Sequence, residues 1–157
     1  MNNIGFVFPG QGSQKLGMLA DLASNFAVIT DTFAEASAVL STDLWEISQL
    51  DQNEQLNLTD ITQPVLLAAS VAIWRVWQGQ QAVAPSILAG HSLGEYSALV
   101  CAGVLAFDDA IQIVHQRGRY MQAAVSAGTG KMAAIVGLDD AKIAGLFEQA
   151  AQGQVVS

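Results

Sequence analysis

Cysteine is nearly missing from this sequence: Cys101 is the single one in 157 residues. An internal disulfide is therefore excluded, and so are zinc ribbons and other multi-cysteine metal sites. Cys101 lies in the apolar run ALVCAGVLA, where a thiol reads as buried and inert. Positive charge is scarce as well, with six basic against fourteen acidic residues and a formal net charge of −8. Lys15, Arg75, Arg117, Arg119, Lys131 and Lys142 form no cluster, which argues against nucleic acid or an anionic membrane as a partner. No apolar run approaches the ~18 residues of a membrane span, and no basic segment precedes the first apolar run as in a signal peptide. A soluble, cytoplasmic protein is the expectation. What is abundant is apolar: 52% of residues are hydrophobic and only 13% charged, the balance of a compact domain, or a large part of one, with a real core.

Short apolar strands alternate with helical patterns along the chain. IGFVFPG reads as a buried strand leaving into a loop at Pro9 and Gly10. Phe26, Ile29, Phe33, Ala36 and Leu40 share one helical face, with Asp31 and Glu35 off it. DLWEISQL and NEQLNL read as short helical pieces, and QPVLLAASVAIWRVWQ as a helix apolar almost all round, with Pro64 in its first turn. PSILAG is a second strand, followed by a small-residue helix and then by a longer one from Asp108 to about Val125. After GTG, KMAAIVGL reads as a third strand, DDAKIAGLFEQAAQ as a helix and GQVVS as the start of a further strand, so that the last thirty or so residues look like a small α/β subdomain cut off partway. This alternation predicts an α/β fold with parallel strands.

The chemistry concentrates in GHSLGE at 90–95. Strand, then G-H-S-L-G, then helix is the context of a nucleophile elbow, with Ser92 lifted clear of the sheet and the helix N-terminus facing any oxyanion. Glycines at 90 and 94 allow strand and helix to approach closely. A serine nucleophile needs a base, and only His91 and His115 exist. His91 adjoins Ser92 on a tight turn where neighbouring side chains diverge. His115 falls on the polar stripe Asp108, Gln112, His115, Arg119 and Gln122 of its helix, which predicts a solvated ring. Neither is a convincing base. On the opposite stripe, Arg117 stands among Ala110, Val114, Met121 and Ala124. A guanidinium there requires an anion: either an internal Asp or Glu, or a substrate carboxylate held bidentately. Spacing does not choose between them. GQGSQKLG lacks the third glycine of a dinucleotide fingerprint, and SAGTGKM lacks the first glycine and the Ser or Thr of a phosphate loop.

FVFPGQGSQ at 6–14, TQPVLLAAS at 62–70, GHSLGEYSALVCAGV at 90–104, QRGRYMQ at 116–122 and GKMAAIVGL at 130–138 together resemble, in order and spacing, the malonyl-CoA:acyl-carrier-protein transacylases of bacterial fatty-acid synthesis. The resemblance runs from end to end of the chain. It implies a malonyl group taken from CoA, carried on Ser92 as an ester and passed to the phosphopantetheine thiol of acyl carrier protein, with no cofactor or metal. It implies an oxyanion hole from the backbone N–H groups of Gln11 and Leu93, a site lined by Gln63 and bordered by His91, an acyl pocket shaped by Met121 and Met132, and Arg117 pairing with the malonyl carboxylate. It implies an α/β-hydrolase-like core with an inserted ferredoxin-like subdomain, 1–126 being the N-terminal part of the core and 127–157 the opening of the subdomain. The family's members are longer and monomeric, with their catalytic histidine beyond position 157. A chain of these residues alone is thus expected to be inactive and to expose apolar surface that favours self-association. Two rival readings are a serine hydrolase or thioesterase, which would release the acyl group to water, and a non-catalytic fragment or interaction module.

Overall fold

A computed structural model describes residues 4–80, 83–124 and 135–153. The chain divides into two compact units, Met1–Val125 and Ser126–Ser157. In the first, β1 (Gly5–Phe8) leads through α1 (Ala20–Ala23), α2 (Val28–Leu40), α3 (Leu44–Gln49) and α4 (Thr59–Gly79) to β2 (Ile87–Gly90), then α5 (Leu93–Cys101) and α6 (Phe107–Ala124). The two strands pair in parallel with Phe8 opposite Gly90, so their C-terminal ends emerge side by side. The result is an α/β fold with a small parallel sheet and many helices. One sheet face is covered; the other carries Val7 and Ile87, both largely exposed, although parallel sheets are ordinarily covered on both faces.

The core lies among the helices. Ile29, Phe33 and Ala36 of α2 are fully buried, at the spacing the sequence predicts, and the Phe33 ring meets Trp45 edge to face at 5.0 Å between centroids. Helix α4 buries every residue from Thr62 to Ala72, as a helix apolar all round must when it runs between layers. Asp43 caps α3 by accepting the Glu46 N–H at 2.8 Å.

Three expectations are corrected here. NEQLNL is not helical: Asp51 and Glu54 have positive φ, and the Asp51 carboxylate instead accepts the N–H groups of Gln55 and Leu56, a side-chain turn that competes with helix. Pro64 is not in a first turn, because α4 begins at Thr59 and Pro64 lies inside it. The buried stripe of α6 is Ala110, Ile111, Val114 and Gly118, rotated from the expected one, and Met121 is exposed. Gly118 causes the rotation. A Cβ there would stand 2.5 Å from Asp60 Cα and 2.7 Å from the Thr59 carbonyl oxygen, so α6 crosses α4 backbone against backbone. Gly118→Ala should destabilise the fold by about 2 kcal/mol or more, read as a lowered denaturation midpoint; an unchanged midpoint would contradict this crossing.

Cys101 is half-buried, and burial pushes its thiol from 9.0 up to about 12, against a smaller opposing pull from Arg75. The native state therefore favours the neutral thiol. This contribution to stability is intact below pH ~9 and is lost as pH rises towards 12. Iodoacetamide should label Cys101 slowly at pH 8 and rapidly once denaturant is added; fast labelling of the native chain would contradict the burial.

In the second unit, α7 (Asp140–Ala151) is capped by Asp139, which accepts the Lys142 N–H at 2.9 Å and pairs with its ammonium at 3.0 Å. The backbone hydrogen bond from Lys142, before the other contributions, holds the Asp139 carboxyl below its ordinary range. Residues 135–138 form no strand; the rest of the expected third strand, the strand start at 154–157 and Met132 lie outside the described residues.

Candidate active site

The site is built at the C-terminal ends of β1 and β2, where parallel sheets characteristically place chemistry. After Gly90 the chain turns through His91 and Ser92 directly into α5. Ser92 has φ 54° and ψ −113°, a region that non-glycine residues avoid at a cost of about 1–3 kcal/mol. The surroundings enforce it. Gly94 N–H donates to the His91 carbonyl at 2.9 Å. A Cβ on Gly90 would overlap the Gly94 carbonyl at 2.1 Å, and one on Gly94 would meet the Phe8 carbonyl at 2.2 Å. Strand β1, strand β2 and helix α5 therefore meet backbone to backbone at these two glycines, which leaves the serine no room for a relaxed turn. Its side chain is exposed at the tip.

Next to this tip runs the loop after β1, where Gly10 would bring a Cβ within 3.2 Å of the His91 carbonyl oxygen. The backbone N–H groups of Gln11 and Leu93 donate to no acceptor among the described residues. Leu93 opens α5, so its amide belongs to the unbonded first turn. The Gln11 side chain is tied to Thr59 Oγ1 at 3.3 Å.

Arg117 reaches the serine from α6. Its Nη2 donates to Ser92 Oγ at 2.9 Å and its Nη1 to Gln63 Oε1 at 2.7 Å, and its guanidinium lies 5.8 Å from the centroid of the Tyr96 ring. The ion pairs among the described residues are Arg75–Glu35 and Lys142–Asp139. Among the described residues Arg117 thus meets neutral partners only, and no internal Asp or Glu pairs with it. Gln63 is fully buried rather than open to the site, and its Nε2 donates to Met121 Sδ at 3.3 Å. Its amide fixes one end of the guanidinium fork. Tyr96 was not singled out from sequence; its place one turn beyond Ser92 on the same helix was the available signal.

The histidines are separated. His91 is exposed, and its side chain forms no hydrogen bond among the described residues. The expectation of a solvated His115 is corrected: the ring is half-buried, with Nδ1 2.8 Å from the Asp60 carbonyl oxygen. Two members of the polar stripe, His115 and Gln122, reach the first turn of α4, whose Thr59 N–H Gln122 accepts at 3.1 Å, while Asp108, Gln112 and Arg119 are exposed. Among the described residues no group of three or more His, Cys, Asp or Glu is placed to hold a metal, and no helix is long and apolar enough to cross a membrane.

The site thus joins a strained serine between two parallel strand ends to amides and an arginine that have no acidic partner among the described residues, and the chain belongs to the acyl transferase domain family, which matches residues 5–155. Over its whole length it is 61% identical to the malonyl CoA-acyl carrier protein transacylase of Escherichia coli K12 and 60% to that of Salmonella typhimurium. It spans about half of those relatives, 51% in each case. A malonyl-transacylase solved with its type II PKS acyl-carrier protein superposes with a TM-score of 0.92 at 60% identity, over 99% of this chain and 50% of that one. An acyl carrier protein S-malonyltransferase from Vibrio cholerae superposes with a TM-score of 0.87 at 62% identity, over 99% and 51%.

Proposed function

We propose that these residues supply the nucleophile, oxyanion hole and carboxylate clamp of a malonyl-CoA:acyl-carrier-protein transacylase. Ser92 Oγ attacks the thioester carbonyl of malonyl-CoA, and the oxyanion is held by the Gln11 and Leu93 N–H groups. The tetrahedral intermediate collapses to a malonyl-serine ester, and the CoA sulfur leaves as a thiol. The phosphopantetheine thiol of the carrier protein then attacks that ester and returns the serine hydroxyl. The observation that carries this reading is the Arg117 fork, without an acidic partner among the described residues, 2.9 Å from Ser92 Oγ. A guanidinium donates only, so it is no base for Ser92; it is matched to a carboxylate placed next to the reacting carbonyl, as in malonyl. On acylation it gives up Oγ and turns its fork to that carboxylate, keeping Gln63.

The base comes from elsewhere, since the exposed His91 side chain makes no hydrogen bond to Ser92 and His115 is committed to α4. The family resemblance puts it in the part of the relatives beyond position 157. The same resemblance supports an α/β-hydrolase-like core over 1–126, a ferredoxin-like subdomain opening at 127–157, Met121 and Met132 at the acyl pocket, His91 at its edge, a cytoplasmic monomeric enzyme and the absence of a cofactor. The test uses the chain extended to its relatives' full length, mixed with malonyl-CoA and phosphopantetheinylated carrier protein. Malonyl-carrier protein is the expected product. Free malonate without it would establish a hydrolase instead.

A further inference from the structure

Pro64 stands inside α4 and has no N–H, so the Asp60 carbonyl, its partner four residues back, loses its helical hydrogen bond. That carbonyl is the one His115 reaches, with Nδ1 at 2.8 Å. A carbonyl only accepts, so Nδ1 carries the hydrogen. Helix α6 grips the same turn at two further points: Gln122 accepts the Thr59 N–H, and Gly118 lies against Thr59 and Asp60. The neighbours of the gripped residues are the site itself. Gln63 precedes Pro64 on α4, Arg117 precedes Gly118 on α6, and the two side chains meet at 2.7 Å.

We infer that His115 is a positioning residue for malonyl selectivity: its Nδ1–H replaces the hydrogen bond that Pro64 removes from α4, and so fixes the α4–α6 crossing that holds the Arg117 guanidinium beside Ser92. The inference rests on the proposed role of Arg117 as the carboxylate clamp. Without the donor, the Asp60 carbonyl is left half-buried and unsatisfied, α6 is free to shift, and the fork no longer meets Gln63 and the acyl carboxylate together. Acetyl transfer makes no use of the fork and is indifferent to the shift.

The experiment compares His115→Leu, which removes the donor, with His115→Asn, whose amide nitrogen takes the place of Nδ1, both in the chain of full relatives' length. His115→Leu should lower kcat/KM for malonyl-CoA about tenfold and leave acetyl-CoA transfer unchanged, and His115→Asn should restore the malonyl-to-acetyl ratio. Parallel loss of both activities, or no restoration by asparagine, would overturn the inference and leave His115 a stability residue. Arg117→Ala is measured alongside. If it leaves the ratio unchanged, the clamp reading has failed; if it changes the ratio while His115→Leu does not, the His115 inference alone has failed. Two spectroscopic readouts need neither activity nor the clamp. Long-range 1H–15N spectra of the unsubstituted protein should show His115 as the Nδ1–H tautomer, and His115→Asn should leave the Arg117 guanidinium resonances in place. An Nε2–H tautomer, or displaced Arg117 resonances in the asparagine variant, would overturn it even where the leucine variant does not fold.

Discussion

Ser92→Ala should abolish the covalent malonyl adduct and reduce malonyl transfer by a factor on the order of 10⁴ to 10⁶, the loss seen when a serine enzyme is deprived of its nucleophile. The readout is the intact mass of the full-length chain after mixing with malonyl-CoA: one added malonyl group on the unsubstituted protein, none on the variant. The change removes one exposed oxygen and leaves the glycine contacts that enforce the turn at 90–94, so the melting temperature should move little. An adduct that persists in Ser92→Ala would assign the chemistry to another residue. A folded, unsubstituted chain that is never acylated would favour the non-catalytic reading.

The second large effect separates two substrates. Arg117→Ala should lower kcat/KM for malonyl-CoA by about 10²- to 10³-fold, the worth of two charge-assisted hydrogen bonds to a carboxylate at roughly 1.5–3 kcal/mol each, partly replaced by water. Acetyl-CoA has no carboxylate and should be spared. Arg117→Lys keeps the charge but not the planar fork and should recover only part of the loss. The alanine variant also deprives Gln63 Oε1, fully buried, of its donor, which destabilises by about 1–3 kcal/mol; a melting curve separates that from the substrate effect. Equal losses for malonyl and acetyl would remove the clamp reading.

The elbow was legible because its requirements are local. A strand ending in glycine, a serine and a second glycine opening a small-residue helix admit one tight arrangement, and Ser92 adopts it. The buried faces of α2 and α4 were legible for a similar reason, since periodicity reports which side of a helix avoids water. The α6 stripes were not read correctly. A Leu or Val pattern marks a core face, but α6 meets the backbone of α4 at Gly118, a residue with no side chain to register in such a pattern. That contact rotated His115 and Gln122 onto the turn of α4 they now bond.

Sequence alone therefore indicated the two strands and the long helices of the first unit, the tight turn at Ser92, the lack of a convincing base among two histidines, and the family the motifs resemble. It left open what faces Arg117. Only the tertiary structure decided that, because the partners come from three separate elements, Gln63 on α4, Ser92 after β2 and Tyr96 on α5. Their meeting depends on a helix crossing set by Pro64, Gly118 and a single imidazole, and side-chain spacing within one helix carries no information about the backbone of another.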